Sequence, residues 1–553
     1  MYRDLSSDKP VAYFCAEYGF KSDLPLYAGG LGVLAGDTVK AAADQSLPFV
    51  AVGLMYRGGN AKQILDAHGW QTEKDVEIDP VSSGFEHVYD ADDPDQPLFV
   101  RVHLTTQDVW ARVWKRTVNK STLYLLDTYT DQNAVEDRGI AHALYFGSEE
   151  SLIKQQLVLG IGGVKLLTSL NIEPRIFHVN EGRPAFLHWQ LIRKFMDRNG
   201  MSYEEAKEKA KSSTVYTNHT LVRAGNQAYD SEILRNYGQY YAEKMGVSID
   251  ELLSDGIDKS TSKFSLTEFA LNTSRKASAV SKVHYELSKN IWPEYSWVGI
   301  TNGVHLPTWQ DEEIAREQHS IKSLWKTHKK KKRELSDFVK EKTGYSFDPS
   351  RLVISWARRI AGYKRPNALF EDITRFANTL KNKERPVQLL MAGRAHVKDE
   401  SAKKMLQMIV EYMQEELSGH ALFIPNYDID VSQMMVRGSD VWVNTPTPGQ
   451  EASGTSGMKA AANGVLQLTV EDGWTAEVDW QEIGWTLDGR HLSDSFYLRL
   501  EHDIISQYYN RGSDNIPHEW VSKMQKSIGL AHKFSSKRML QEYQEMLYAE
   551  DDE

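Results

Sequence analysis

Three short stretches of this 553-residue chain concentrate the residue types that hold anions. Residues 451–464 read EASGTSGMKAAANG, small and hydroxyl-bearing positions followed by Lys459. Backbone N–H groups of Ser453, Gly454, Thr455, Ser456 and Gly457 at a helix start can cradle an anion, with the lysine beside it. A flexible linker is the other reading of that composition. Residues 358–365 read RRIAGYKR, a cationic loop directly after the apolar run LVISWA. Arg358, Arg359 and Lys364 can converge on phosphate there, arginine as a rigid donor fork and lysine as a mobile point charge. A solvated basic loop is the alternative. In YAGGLGVLAGD, Gly29 and Gly30 open a helical run, which suits either an anion at the helix N-terminus or close helix–strand packing.

Other polar residues follow apolar runs. STVYTNHT ends in His219 and Thr220, Arg183 follows RIFHVNEG, and VGITNGVHLPTW carries Asn302 and His305. Spacing alone gives no role to His178, His305 or His396. HExxH, paired CxxC, EF-hand, Walker A and GxSxG patterns are absent from the sequence. What remains is a set of loops suited to phosphate groups and a hydroxyl-rich ligand, such as a sugar phosphate or sugar nucleotide.

The elements that must position these loops are short β-branched runs alternating with helical patterns. VAYFCAEYG, LPFVAVGLMY, LFVRVHL, TLYLLDT, RIFHVNEG and STVYTNHT read as one strand series; LVISWARR, VQLLMAGR, ALFIPNY, DVWVNTP and VLQLTV read as a second. Strands with helices between them predict parallel sheets, hence an α/β fold of two doubly wound, Rossmann-like domains, 1–320 and 321–553. Ligands in such proteins bind in the crevice beyond the strand C-terminal ends. The lysine-rich run 329–333 reads as the solvated face of a connecting helix or, less simply, a patch for an anionic polymer. The last segment, from His518, has helical periodicity only.

Bulk composition narrows the classes. Net charge is −11, which disfavours nucleic acid as a partner. Aromatic content is 10%, compatible with sugar stacking but equally with a large core. The single cysteine, Cys15, permits neither an internal disulfide nor a cysteine-based zinc site, and points to a cytoplasmic chain with Cys15 as a small buried hydrophobe. The start MYRDLSSDKP is no signal peptide, and no apolar run reaches membrane-spanning length.

Taken in order, YFCAEYGF, YAGGLGVLAGD, VGLMYRGG, HVNEGRPAF, YTNHT, GITNGVHLPTW, ARRIAGYKR, MAGRAH, PNYDID and EASGTSGMKAAANG resemble the α-glucan phosphorylases, most closely their short bacterial and archaeal branch. The resemblance implies a GT-B type glycosyltransferase that cleaves α-1,4-glucan or maltooligosaccharide with inorganic phosphate, with retention, to glucose 1-phosphate. It implies pyridoxal 5'-phosphate joined to Lys459, its phosphate acting as an acid/base relay and held by Thr455, Ser456 and Gly457. By the same likeness Arg358, Arg359 and Lys364 hold the cofactor and substrate phosphates, and Gly29 and Gly30 face the substrate phosphate. His219, Asn302, Tyr363, Glu451, Ser453 and Gly454 correspond to contacts with the transferred glucose, and Glu17, Trp309 and Tyr427 to the cofactor pocket.

Departures stand at Arg183, where the short branch usually has histidine, and at HTLVRAGNQAY, where it has a proline-rich segment. Arg183, Arg223 and Asn226 are therefore expected to add charge and an amide near the glucan, favouring an anionic acceptor or another chain length. The chain is also expected to lack the N-terminal extension that carries regulation in the animal and yeast enzymes; a homodimer is possible. Two alternatives remain open: a nucleotide-sugar-dependent glucan synthase, which would need no cofactor lysine, and a catalytically silent glucan-binding relative.

Overall fold

The computed structural model describes residues 5–6, 9–22, 24, 26–58, 62–145, 147–221 and 226–550. The chain forms two compact units, each discontinuous in sequence: Met1–Asn60, Asp75–Thr301 and Met539–Glu553 in the first, Ala61–Lys74 and Asn302–Arg538 in the second.

The first unit is built on a 10-stranded sheet. Its parallel part uses β1 (Val11–Phe14), β2 (Phe49–Leu54), β3 (Ser121–Asp127), β4 (Ile176–Asn180), β5 (Thr214–Thr217), β6 (Lys276–Ala279) and β7 (Trp297–Gly299) in the order 7-6-5-4-1-2-3. β1, β2 and β4 are buried on both faces, as parallel strands covered by helices must be, and apolar but for His178 and Asn180 in β4. Strand order reverses at β1, which pairs with β2 on one side and β4 on the other.

LFVRVHL departs from the expected parallel series. Phe99–Leu104 pairs antiparallel with Gln107–Val118, which in turn pairs antiparallel with β3. Only Thr105 and Thr106 separate the first two strands, too short a link for a crossover. The run QDVWARVWKRTV, not foreseen as a strand, alternates buried and part-exposed positions along much of its length. Chain from the far C-terminus completes this unit: Met539, Leu540, Tyr543 and Leu547 join its core, and the Tyr548 hydroxyl lies 2.9 Å from His178 Nδ1.

The second unit carries an all-parallel sheet of β8 (Leu352–Ala357), β9 (Val387–Ala392), β10 (Ala421–Ile424), β11 (Val441–Asn444), β12 (Leu466–Val470) and β13 (Trp485–Leu487). Its order is 10-9-8-11-12-13, so the order reverses at β8 and the loops after β8 and β11 emerge side by side. That reversal is where open α/β sheets present ligand-binding loops.

The basic run 329–333 lies in the helix Ile321–Thr343; Lys329, Lys330 and Arg333 are exposed, as a solvated face requires, but Lys331 and Lys332 are buried. Lys332 is fully buried: its Nζ donates to Asp440 Oδ2 at 2.5 Å, to the Arg351 carbonyl at 2.6 Å and to the Tyr508 hydroxyl at 2.8 Å. Asp440 also faces His328 Nε2 at 2.7 Å and accepts from the Val353 N–H at 2.8 Å. Lys331 pairs with Asp311, Glu313 and Glu334. These cations tie the helix to the edge of the β8–β11 pair, because a buried ammonium persists only where acceptors satisfy it.

Candidate active site

The last buried residue of β8 leads into Arg358, which is 7% exposed. Its Nη2 donates to Ser456 Oγ at 3.4 Å and to the Val443 carbonyl at 3.5 Å, and its Nη1 lies 3.7 Å from Glu451 Oε2. Arg358 Nε reaches no protein acceptor although it is buried. Lys364, in a single turn of 3-10 helix, forms an ion pair with the same Glu451 carboxylate and sits over the Tyr363 ring. Arg365 stands at φ 46° and staples the loop to the carbonyls of Thr445, Pro446 and Gly489. Arg359 instead has an exposed side chain; its charge acts on Glu451 and His396.

The loop after β11 brings Glu451 back to these cations. Burial alone would raise its pKa, but Lys364, Arg358 and Arg359 hold it below the usual carboxylate range. Its backbone N–H donates to Asp472 Oδ2 at 2.9 Å. Gly454 takes φ 83°, a left-handed conformation that glycine adopts without strain, and caps the helix Thr455–Ala461 with no side-chain cap bond. Ser453 Oγ is buried with no protein partner. Ser456 Oγ accepts from Trp442 Nε1 at 3.3 Å as well as from Arg358. A Cβ on Gly457 would come within 2.9 Å of Gln467 and Trp474, so only glycine lets the helix start seat this deeply. Glycines, hydroxyls and an arginine therefore surround an uncapped helix N-terminus, an arrangement suited to a phosphate.

Lys459 lies within that helix, 6% exposed, with its Nζ 3.6 Å from the centroid of the Trp309 ring. Trp309 closes the short helix Leu306–Trp309 and is 1% exposed. Asn463 locks the two together: its Nδ2 donates to the carbonyls of Trp309 at 3.0 Å and Lys459 at 2.9 Å, while Oδ1 accepts from the Asp311 N–H at 2.8 Å. Tyr427 donates to Ser432 Oγ at 3.1 Å, and burial raises its pKa while the nearby Arg358 opposes. Asn302, 3% exposed, uses its carbonyl to accept from Arg538, and its side-chain oxygen is buried without a protein partner.

In the first unit, the loops after β1, β4 and β5 hold a second group of the expected residues. Glu17, 2% exposed, accepts from the N–H groups of Ala28 at 2.8 Å and Gly29 at 3.2 Å and from the Tyr145 hydroxyl. It thereby fixes the approach to the helix Gly30–Asp44, which has no side-chain cap. A Cβ on Gly29 or Gly30 would meet open space, whereas one on Gly32 would meet Tyr27 at 2.4 Å. Burial raises the Glu17 pKa; its hydrogen bonds and Arg183 oppose this.

His219 follows β5. Its Nε2 lies 2.6 Å from Asn180 Oδ1, and its N–H donates to Glu181 Oε2 at 3.1 Å. Burial pulls its pKa down to about 3, with His284 adding repulsion. Arg183 stacks 4.2 Å over the Tyr145 ring. Asn226 accepts from Thr267 Oγ1 at 3.1 Å, and Arg223 lies outside the described residues.

Three positioning residues escaped the sequence reading: Asn463, Asn180 and Tyr145. The first two lie inside the quoted motifs AAANG and HVNEG, but nothing in their spacing announces hydrogen bonds to distant residues. Among the described residues, no cluster of histidine, cysteine and carboxylates could hold a metal, and no helix is long and apolar enough to cross a membrane.

Fold and loops together define an α/β protein whose strand-end loops gather glycines, hydroxyls and cations. The carbohydrate phosphorylase family matches over residues 305–485. The maltodextrin phosphorylase of Thermococcus litoralis is 35% identical, the alignment covering 98% of this chain and 71% of that one. The glycogen phosphorylase of Aquifex aeolicus is 32% identical over 98% and 86%. An uncharacterized protein of Methanocaldococcus jannaschii is 30% identical over 98% of this chain and all of its own. The chain belongs to the α-glucan phosphorylases.

Proposed function

We propose that this chain catalyses the retaining phosphorolysis of an α-1,4-glucan by inorganic phosphate, giving glucose 1-phosphate, with pyridoxal 5'-phosphate joined to Lys459. The observation that carries the reading is the buried Lys459 on the helix whose own N-terminus presents Gly454, Thr455, Ser456 and Gly457. The buried Ser453 Oγ and Arg358 Nε, without protein partners, and the space kept by Gly457 fit a phosphate-bearing group. The names of its relatives support glucan and phosphate as substrates. The same reading takes the two units as the Rossmann-like halves of a GT-B type glycosyltransferase.

When bound, the cofactor supplies a phosphate with a second pKa near 6, close to working pH. On this reading Arg358 and the Thr455–Gly457 turn hold that phosphate, and Trp309 and Tyr427 wall its ring. Lys364 and Arg359 attract the substrate phosphate. Glu451, kept ionised by Lys364 and Arg358, offsets part of the positive charge and accepts from a sugar hydroxyl. In the first unit, Gly29 and Gly30 leave room for an anion to approach the helix start, and His219 contacts the glucose.

Borohydride reduction followed by peptide mapping tests the reading. A pyridoxyl adduct on Lys459, absent in Lys459→Ala, is expected together with glucose 1-phosphate release from maltooligosaccharide and phosphate. An unmodified Lys459 in folded, cofactor-supplemented protein would overturn it in favour of a nucleotide-sugar transferase or a silent binder.

A further inference from the structure

Three residues at the ends of three neighbouring strands form a row across the first unit's sheet. Cys15 directly follows β1, Asn180 closes β4, and His219 lies two residues past β5. The register pairs Phe14 with Val179 and Asn180 with Thr217, so the row follows from strand pairing itself. Asn180 is 1% exposed and Cys15 fully buried. Asn180 Nδ2 donates to Cys15 Sγ at 3.3 Å, which turns Oδ1 toward His219 Nε2 at 2.6 Å.

An amide has a donor end and an acceptor end, and a neutral imidazole carries its proton on one nitrogen only. A carbonyl oxygen facing Nε2 requires the proton there, which leaves Nδ1 as a lone-pair acceptor. We propose that Asn180, oriented by Cys15, is a positioning residue that locks His219 as the Nε2–H tautomer, so that the ring accepts from a sugar hydroxyl and rejects groups that cannot donate. This rests on the assignment of His219 to the sugar. It gives a role to the lone buried cysteine: the thiol, its pKa pushed up to about 12 by burial, stays a neutral acceptor. A site built around a fixed acceptor discriminates strongly against analogues lacking the matching donor, because the acceptor would then be left unpaired.

The test is ring-nitrogen NMR of the full chain with ¹⁵N-labelled histidine, the His219 signals being identified by their loss in His219→Gln. The expected result is a protonated Nε2 and unprotonated Nδ1 that hold from about pH 5 to 8, where an unperturbed histidine would titrate. A protonated Nδ1 or a titrating ring in the unaltered protein would overturn the proposal. Glu181, His178 and His284 also stand near the ring, so the isosteric Asn180→Asp is compared in the same experiment. A carboxylate there should draw a second proton onto His219 and turn Nδ1 into a donor. In that variant KM for glucan should rise about 10-fold, one hydrogen bond's worth, with KM for phosphate unchanged. An unchanged glucan KM, with the second proton in place, would also overturn it. The spectra are read without turnover, so they stand whether or not the chain is a phosphorylase.

Discussion

Lys364→Met separates the structural and the binding roles of the cationic loop. The Lys364 and Glu451 side chains are 10% and 12% exposed, so the pair is largely withdrawn from solvent. Removing the ammonium leaves Glu451 buried, with Arg358 Nη1 at 3.7 Å as the remaining close cation. Breaking a buried pair from one side costs about 3–5 kcal/mol, and the residual exposure with Arg358 nearby places this case near ~3 kcal/mol. At roughly 2 °C per kcal/mol for a unit of this size, Tm should fall by about 6 °C. Loss of one charge-assisted contact to phosphate, about 1.5–3 kcal/mol, should separately raise KM for phosphate roughly 10- to 150-fold. Calorimetry and phosphorolysis at varied phosphate read the two effects. The companion Lys364→Met/Glu451→Gln removes the stranded carboxylate: most of the lost Tm should return while KM for phosphate stays high. Recovery of the phosphate KM in the double variant would show that Lys364 acts only through folding, and would remove it from the phosphate site.

Lys332→Met should destabilise the second unit by about 3–5 kcal/mol, because Asp440 is left buried with His328 as its remaining side-chain partner. Burial would raise the Asp440 pKa, but Lys332 and His328 hold it below the usual range. Its stabilising contribution is therefore complete above the unfolded pKa near 4 and lost as pH falls through the lower folded value. Acid unfolding of Lys332→Met should accordingly begin at higher pH than in the parent, which circular dichroism against pH will show. Gly457→Ala should cost about 1–3 kcal/mol, since its Cβ would press on Gln467 and Trp474. The same change should weaken retention of pyridoxal phosphate on dialysis, and full retention would argue against this helix start as the phosphate seat.

How far the fold was legible depended on local pattern. The eleven strand segments read from apolar runs are all strands, because β-branched, aromatic and other apolar residues fit a pleated sheet whether one face is buried or both. Direction was less accessible: LFVRVHL reads as one more member of a parallel series, yet Arg101 and His103 alternate with buried residues as on a half-exposed strand, and the two-residue link to the next strand makes it antiparallel. The lysine run 329–333 is a solvated face at Lys329, Lys330 and Arg333 but not at Lys331 and Lys332, because charge in a sequence carries no partner. Asp440, Arg351 and Tyr508 are remote in the chain, and they alone let Lys332 be buried. Arg183 was expected to charge the surroundings of the glucan; its guanidinium lies over Tyr145, which in turn bonds Glu17.

Residue type and order within a few turns of chain were enough to mark the loops proposed to hold anions: glycines and hydroxyls ahead of Lys459, cations after LVISWA, glycines opening the helix Gly30–Asp44. Those signals are local because helix capping, turn formation and charge density are local. Which of the marked residues meet was settled by strand order. The reversal at β8 sets Arg358 beside the β11 loop and so beside Ser456 and Glu451, and the register of β1, β4 and β5 sets Asn180 between Cys15 and His219. Pairing of strands far apart in sequence is governed by burial of whole faces, which no short stretch encodes.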